Sequence, residues 1–152
     1  MRLVSTYDLA DQQIGSEGPA LVFLHGIAGS GRYWAPRIMP LAKSFRLFMP
    51  DLLGFGRSPW PEAQYTIALH VSTVRQYLAR VGLDGEPITI VGHSLGSILA
   101  LEYAARFPGN VQSLVLFNLP CYENAHEARR FIAREGGLHA ATVTFRPLAH
   151  FL

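Results

Sequence analysis

A mostly parallel, doubly wound α/β sheet is the fold this 152-residue sequence predicts. Three observations carry the prediction. Apolar runs of strand length recur at 20–24, 45–50, 87–91 and 111–119, as strands buried on both faces require. Segments of helical period separate them at 32–44, 66–81 and 95–107. Two of the runs end in glycine-rich turns, at 25–31 and 92–96, where an α/β sheet places its loops. Strand–helix alternation lets neighbouring strands run the same way and puts helices on both faces of the sheet.

Each element follows in order. Residues 2–14 are mixed and hold one or two short strands. Gly15-Ser16-Glu17-Gly18-Pro19 is a turn, and Ala20-Leu21-Val22-Phe23-Leu24 is a continuous apolar strand. A helix is expected over 32–44, with Pro36 in its first turn, where a missing N–H costs least. The strand at 45–50 leads into a loop at 51–58. Thr66 is the expected N-cap of a helix reaching Val81, whose Ile67, Val71, Val74, Leu78 and Val81 share one face; Gly82 ends it. The strand 87–91, a helix at 95–107 stopped by Pro108-Gly109, and a strand at 111–119 complete the pattern. Beyond Pro120 a helix is expected over 123–135, broken by Gly136-Gly137, and 138–152 is ambiguous.

Composition bounds the function. The apolar share is 49% and the charged share 16%, a balance that builds a core rather than a disordered chain. Thirteen basic and eleven acidic residues are dispersed, with net charge +2, so nucleic acid is not an expected partner. Cys121 is alone and cannot close an internal disulfide. Residues 1–8 lack the apolar core of a signal peptide, and no apolar run approaches the roughly 20 residues of a membrane span. A cytoplasmic protein that binds no membrane is expected. Scattered histidines without paired spacing give no metal site.

The chemistry concentrates in Gly92-His93-Ser94-Leu95-Gly96, between a predicted strand and a predicted helix. A strand turning sharply into a helix crowds the backbone, so hydrogen side chains are favoured on both sides of the serine. Such a turn lifts the Ser94 hydroxyl over the carboxyl end of the sheet. The helix that follows offers free N–H groups and a positive partial charge to a negatively charged intermediate. Gly26-Ile27-Ala28-Gly29-Ser30-Gly31 has the glycine spacing of a phosphate-binding loop. Arg32 and Tyr33 stand where that motif needs lysine and a hydroxyl residue, which removes two contacts at once.

The segments Leu24-His25-Gly26-Ile27-Ala28-Gly29-Ser30, residues 49–58 (MPDLLGFGRS) and Val91-Gly92-His93-Ser94-Leu95-Gly96-Ser97 together resemble the α/β-hydrolase fold family, over roughly 18–120. The resemblance implies an α/β-hydrolase-type sheet with Ser94 as nucleophile and the backbone N–H groups of Ile27 and Leu95 as oxyanion hole. Gly92, His93 and Gly96 would shape the elbow, His25 and Gly26 the oxyanion loop, and Asp51 its own loop. No cofactor is implied. The implied partner is a small-molecule substrate, with carboxylic-ester hydrolysis the first choice. Carbon–carbon bond or lactone hydrolysis, perhydrolysis and a non-catalytic binding role are the alternatives. Trp34, Phe55, Trp60 and Tyr122 are candidates to line an apolar pocket.

In this family the order is Ser, then acid, then His. Asn118 ends the strand after Ser94, and an amide carries no negative charge. Glu123 falls in the first turn of the predicted helix, and His126, His139 and His150 follow no convincing strand. Residues 1–120 are therefore expected to be the N-terminal part of a hydrolase core, truncated before its last strands. Residues 121–152 would begin a helical cap, and the chain as given would lack the catalytic acid and histidine. The apolar 111–119 strand would be an exposed edge, prone to self-association.

Overall fold

The computed structural model describes residues 7–121 and, beyond them, Asn124, His126, Glu127 and Arg130. Five strands form one sheet: β1 (Asp11–Ile14), β2 (Ala20–Leu24), β3 (Arg46–Pro50), β4 (Ile88–His93) and β5 (Val111–Phe117), in the order β1-β3-β2-β4-β5. β2, β3, β4 and β5 pair in parallel, and β1 runs antiparallel to β3 at one edge. The expected mostly parallel sheet is present.

Alternate residues divide the core into two layers, as the period of a strand dictates. Val22 and Leu24 of β2, Phe48 of β3 and Ile88 and Ile90 of β4 face the two long helices, α2 (Ile67–Arg80) and α3 (Leu95–Arg106). Val71, Val74, Tyr77 and Leu78 of α2 meet them there, with Leu99, Ala100 and Tyr103 of α3. Phe23, Leu47, Met49 and Val91 face the other way, against Trp34 and Ile38. Thr66 caps α2 as its sequence predicts, its hydroxyl accepting from the Leu69 N–H at 3.1 Å.

The helix expected over 32–44 is in pieces. A 3₁₀ turn at Gly31–Tyr33, a single turn α1 (Ala35–Ile38) and a second 3₁₀ turn at Met39–Lys43 replace it. Pro40 has no N–H to give to the carbonyl four residues back, so the ladder cannot run on from α1. β4 extends past the expected 87–91 to His93, because Gly92 and His93 pair with Leu116 and Phe117. β5 stops at Phe117 rather than 119; Asn118 enters the left-handed region at φ +48° and leaves the ladder. The pairing of β5 also slips by one residue at Gln112, where a bulge interrupts the register. Asn124 opens a helical turn by accepting from the N–H groups of His126 and Glu127, both at 3.0 Å. The expected helix over 123–135 and the cap it would begin otherwise lie outside the described residues.

Candidate active site

β2 and β4 are adjacent, parallel strands whose chains leave in opposite directions, β2 toward β3 and β4 toward β5. A crevice at the carboxyl ends of such a pair is where open α/β sheets bind ligands. Here the two ends are His25-Gly26 and His93-Ser94.

Ser94 joins β4 directly to α3 at φ +53° and ψ −114°, a conformation sparsely populated by any residue with a side chain. The surroundings hold it there. Its N–H donates to the Phe117 carbonyl at 2.9 Å, which ties the turn to the end of β5. The Ser97 hydroxyl donates to the same carbonyl at 2.9 Å, and the Ser94 carbonyl accepts from Ser97 and Ile98 to start α3. The flanking glycines are required by space. A Cβ on Gly92 would stand 2.5 Å from the Gly96 carbonyl oxygen, and one on Gly96 2.1 Å from that of Leu24. Gly96 thus lets α3 sit directly on β2, while Gly92 lets the turn close on itself.

The loop after β2 lies against this turn. A Cβ on Gly26 would be 3.1 Å from the Ser94 Cβ and 3.0 Å from the His93 Nδ1. Residues 26–29 form a β-turn closed by the Gly29 N–H on the Gly26 carbonyl at 3.1 Å, with Ala28 at φ +60°. Among the described residues neither the Ile27 nor the Leu95 N–H has a hydrogen-bond partner. Leu95 is the first residue of α3, where intrahelical acceptors are lacking. Ile27 is 37% exposed.

His25 is buried beneath the loop. Its ring bonds the Gly26 carbonyl through Nδ1 at 2.8 Å and accepts from the Leu52 N–H through Nε2 at 2.9 Å. One neutral tautomer satisfies both bonds, with the proton on Nδ1. Burial lowers its pKa to about 4, outweighing the Gly26 carbonyl and the charge of Asp51, which pull it up. Asp51 is fully buried and does more than shape its own loop. It accepts from the Arg57 N–H at 2.9 Å and Nε at 3.3 Å, and also from the Gly31 N–H at 2.6 Å, at the far end of the loop that follows β2. Ser58 completes the brace, donating to the Asp51 carbonyl and accepting from the Ala10 N–H at 2.9 Å.

His93 is engaged elsewhere. Asn118 Nδ2 donates to its Nε2 at 3.1 Å, and Tyr33 stacks on its ring at 5.9 Å between centroids. The Ser94 hydroxyl has no hydrogen-bond partner among the described residues. His126 is exposed, and Glu123, His139 and His150 lie outside the described residues. Of the suggested pocket aromatics, Trp34 is buried in the core beside Phe23, while Phe55 and Trp60 are half-buried and 6.4 Å apart. Tyr122 lies outside the described residues. Among those residues no three His, Cys, Asp or Glu side chains are grouped to hold a metal ion. No described helix is long and apolar enough to cross a membrane.

Sequence reasoning missed Ser97, Ser58 and Tyr33. Ser97 alone left a signal, a hydroxyl directly before the apolar run Ile98-Leu99-Ala100. The partners of the other two are distant in sequence.

The family model described as alpha/beta hydrolase fold matches residues 19–136. The chain belongs to the α/β-hydrolase fold family. Similar α/β hydrolases include the "Putative carbamate hydrolase RutD" of Escherichia coli O7:K1, 33% identical over 138 residues, which are 88% of this chain and 51% of that protein. Rv2715, an uncharacterized protein of Mycobacterium tuberculosis, is 40% identical over 104 residues, 68% of this chain and 30% of its own. Among solved structures, a thermophilic esterase from Thermogutta terrifontis superposes with TM-score 0.74 at 25% identity, covering 89% of this chain and 52% of that one. The chain thus spans about half or less of the length of the relatives it matches.

Proposed function

We propose that this α/β-hydrolase chain carries the nucleophile and oxyanion hole of a serine hydrolase acting on small carboxylic esters. One observation carries the reading: Ser94 is held at φ +53° on the turn between β4 and α3, against the loop that presents the free Ile27 N–H. A strained residue whose conformation is over-determined by its neighbours is a mark of a functional site. Ser94 Oγ would attack the substrate carbonyl carbon, and the oxyanion would rest on the Ile27 and Leu95 N–H groups. A base would take the hydroxyl proton and deliver it to the leaving alcohol, and water would then release the acyl group. Neither the base nor its carboxylate has a candidate among the described residues. Esters come first because an esterase is among the solved relatives. Carbamates, lactones and carbon–carbon substrates would meet the same serine. The outer edge of β5 would also serve as a self-association surface.

A fluorophosphonate probe tests it on the full chain. Covalent labelling that disappears in Ser94→Ala supports an activated serine. A folded, unlabelled protein favours the second reading, a member that binds without catalysis. The unpartnered Ser94 hydroxyl is the observation on that side.

A further inference from the structure

We propose that the segment 31–44, on the face of the sheet opposite α2 and α3, docks the protein reversibly on an anionic lipid surface. The segment comprises the two 3₁₀ turns and α1. Its inward side is fixed by apolar packing: Trp34 and Ile38 are buried against Phe23, Leu47, Met49 and Val91. Its outward side combines two features. Three large apolar side chains lie open within a short stretch, Tyr33 at 49%, Met39 at 57% and Leu41 at 41% exposed. Interleaved with them are Arg32, Arg37 and Lys43, all exposed. Among the described residues none of these three cations joins an ion pair. Arg37 lies over the Tyr33 ring, 5.6 Å from its centroid. The sequence holds no acidic residue between Glu17 and Asp51. The chain's net charge is +2 and this segment carries +3, so the remainder is slightly acidic on balance.

Charge and apolar exposure together select the occupant. Each cation near an anionic bilayer strengthens binding about fivefold, and apolar side chains that enter the headgroup boundary add to it. Arg and Lys lay their stems along apolar surface while their charges stay at the headgroups, so both kinds of side chain act at one depth. Nucleic acid would use the three charges and leave Met39 and Leu41 in water. An apolar protein face would use Met39 and Leu41 but desolvate the cations without partners. A lipid surface uses both. The dock departs from the expectation that the chain binds no membrane, which rested on the lack of a membrane span. A span needs a long apolar run, whereas a surface dock mixes cations with apolar residues. Tyr33 stacks on the ring of His93, the neighbour of Ser94, so the dock begins beside the crevice at the carboxyl ends of β2 and β4. The dock stands apart from the serine-hydrolase reading; where that reading holds, the substrate class becomes esters dissolved in the lipid surface.

Vesicle co-sedimentation with the full chain tests the dock, against a vesicle-free control. The vesicles are phosphatidylcholine alone and phosphatidylcholine mixed with phosphatidylserine. Wild-type protein should bind the mixed vesicles far more tightly at low ionic strength, and salt should release it by screening the charges. Arg32→Gln, Arg37→Gln and Lys43→Gln combined should weaken binding ~100-fold. Met39→Ser with Leu41→Ser should weaken it ~10-fold and leave its salt dependence unchanged. Arg106→Gln removes an exposed cation from α3, on the opposite face, and should have no effect. All the substituted side chains are exposed, and circular dichroism checks that the variants fold. Wild-type protein that ignores the mixed vesicles overturns the proposal. Binding that the triple variant retains, or that Arg106→Gln weakens as much, also overturns it. If Met39→Ser with Leu41→Ser changes only the oligomeric state, the face belongs to a second copy and the lipid dock fails. Phosphonate labelling is read separately, so failure of the serine-hydrolase reading leaves the vesicle result standing.

Discussion

Ser94 keeps a side chain where the backbone favours none, and the strain it bears is measurable. A non-glycine residue in such a region costs on the order of 1–3 kcal/mol. Ser94→Ala retains the strain, and Ser94→Gly relieves it. Ser94→Gly should therefore be more stable than Ser94→Ala by about 1 kcal/mol, after allowing for the larger entropy of glycine in the unfolded chain. Urea unfolding of the two variants checks this; equal midpoints would mean that the turn is unstrained. Asn110 makes the opposite case, a polar residue buried for its bonds. Its Nδ2 donates to the Leu83 and Glu86 carbonyls at 2.9 and 2.5 Å, and its Oδ1 accepts from the Tyr103 hydroxyl at 2.6 Å. Asn110→Ala should cost about 2 kcal/mol, because the buried Leu83 carbonyl and the part-buried Glu86 carbonyl lose this donor together, while the Tyr103 hydroxyl keeps Arg75 at 3.2 Å. A loss under about 1 kcal/mol in chemical denaturation would show that water replaces the amide.

Among elements, the loops after β2 and β3 depend on a neutral His25. Its pKa is lowered to about 4 in the folded protein, first by burial, while the unfolded chain titrates near the ordinary 6.5. Between these values the unfolded state binds a proton that the folded state does not. Stability present above pH 6.5 is thus lost as pH falls toward about 4, on the order of 3 kcal/mol in all. His70, also lowered by burial, adds a loss of the same sign. Asp51, whose charge favours the imidazolium, is the acidic group acting on His25. Unfolding midpoints followed from pH 7 to 4 should fall more steeply in wild type than in His25→Asn. Parallel profiles would remove His25 from the account. The loops were legible in sequence as glycine-rich turns, but their mutual bracing was not. The Leu52–His25 bond spans 27 residues and the Gly31–Asp51 bond 20, and no local pattern announces either.

Over the whole molecule, the two sides of the sheet end differently. The β1 edge is short and antiparallel, with the Gln13 amide exposed and the Asp11 carboxylate paired with Arg80, a polar composition that discourages further pairing. The β5 edge exposes Val115 at 42% and Phe117 at 49%. The bulge at Gln112 protects only its beginning. The chain as given should therefore self-associate in a concentration-dependent way by size exclusion with light scattering. Val115→Lys should shift it toward monomer, since a charge on an edge strand opposes pairing. A wild-type chain that stays monomeric at high concentration would remove β5 as a contact surface.

The sequence alone determined what local order can carry. Apolar runs set four strands, periodicity and Thr66 set α2, and glycines at 92 and 96 marked the turn around Ser94. These are one-dimensional signals because their causes, side-chain period and backbone crowding, act between near neighbours. The segment 32–44 misled because prolines within an amphipathic run stop the hydrogen-bond ladder without disturbing its pattern. Tertiary structure alone decided that Gly96 is needed for β2 as well as for its own turn, and that Phe117 anchors Ser94. It also turned His25 and Asp51 into braces on one loop. Those roles depend on which strands lie side by side, and the order β3-β2-β4-β5 exists only once the sheet is assembled.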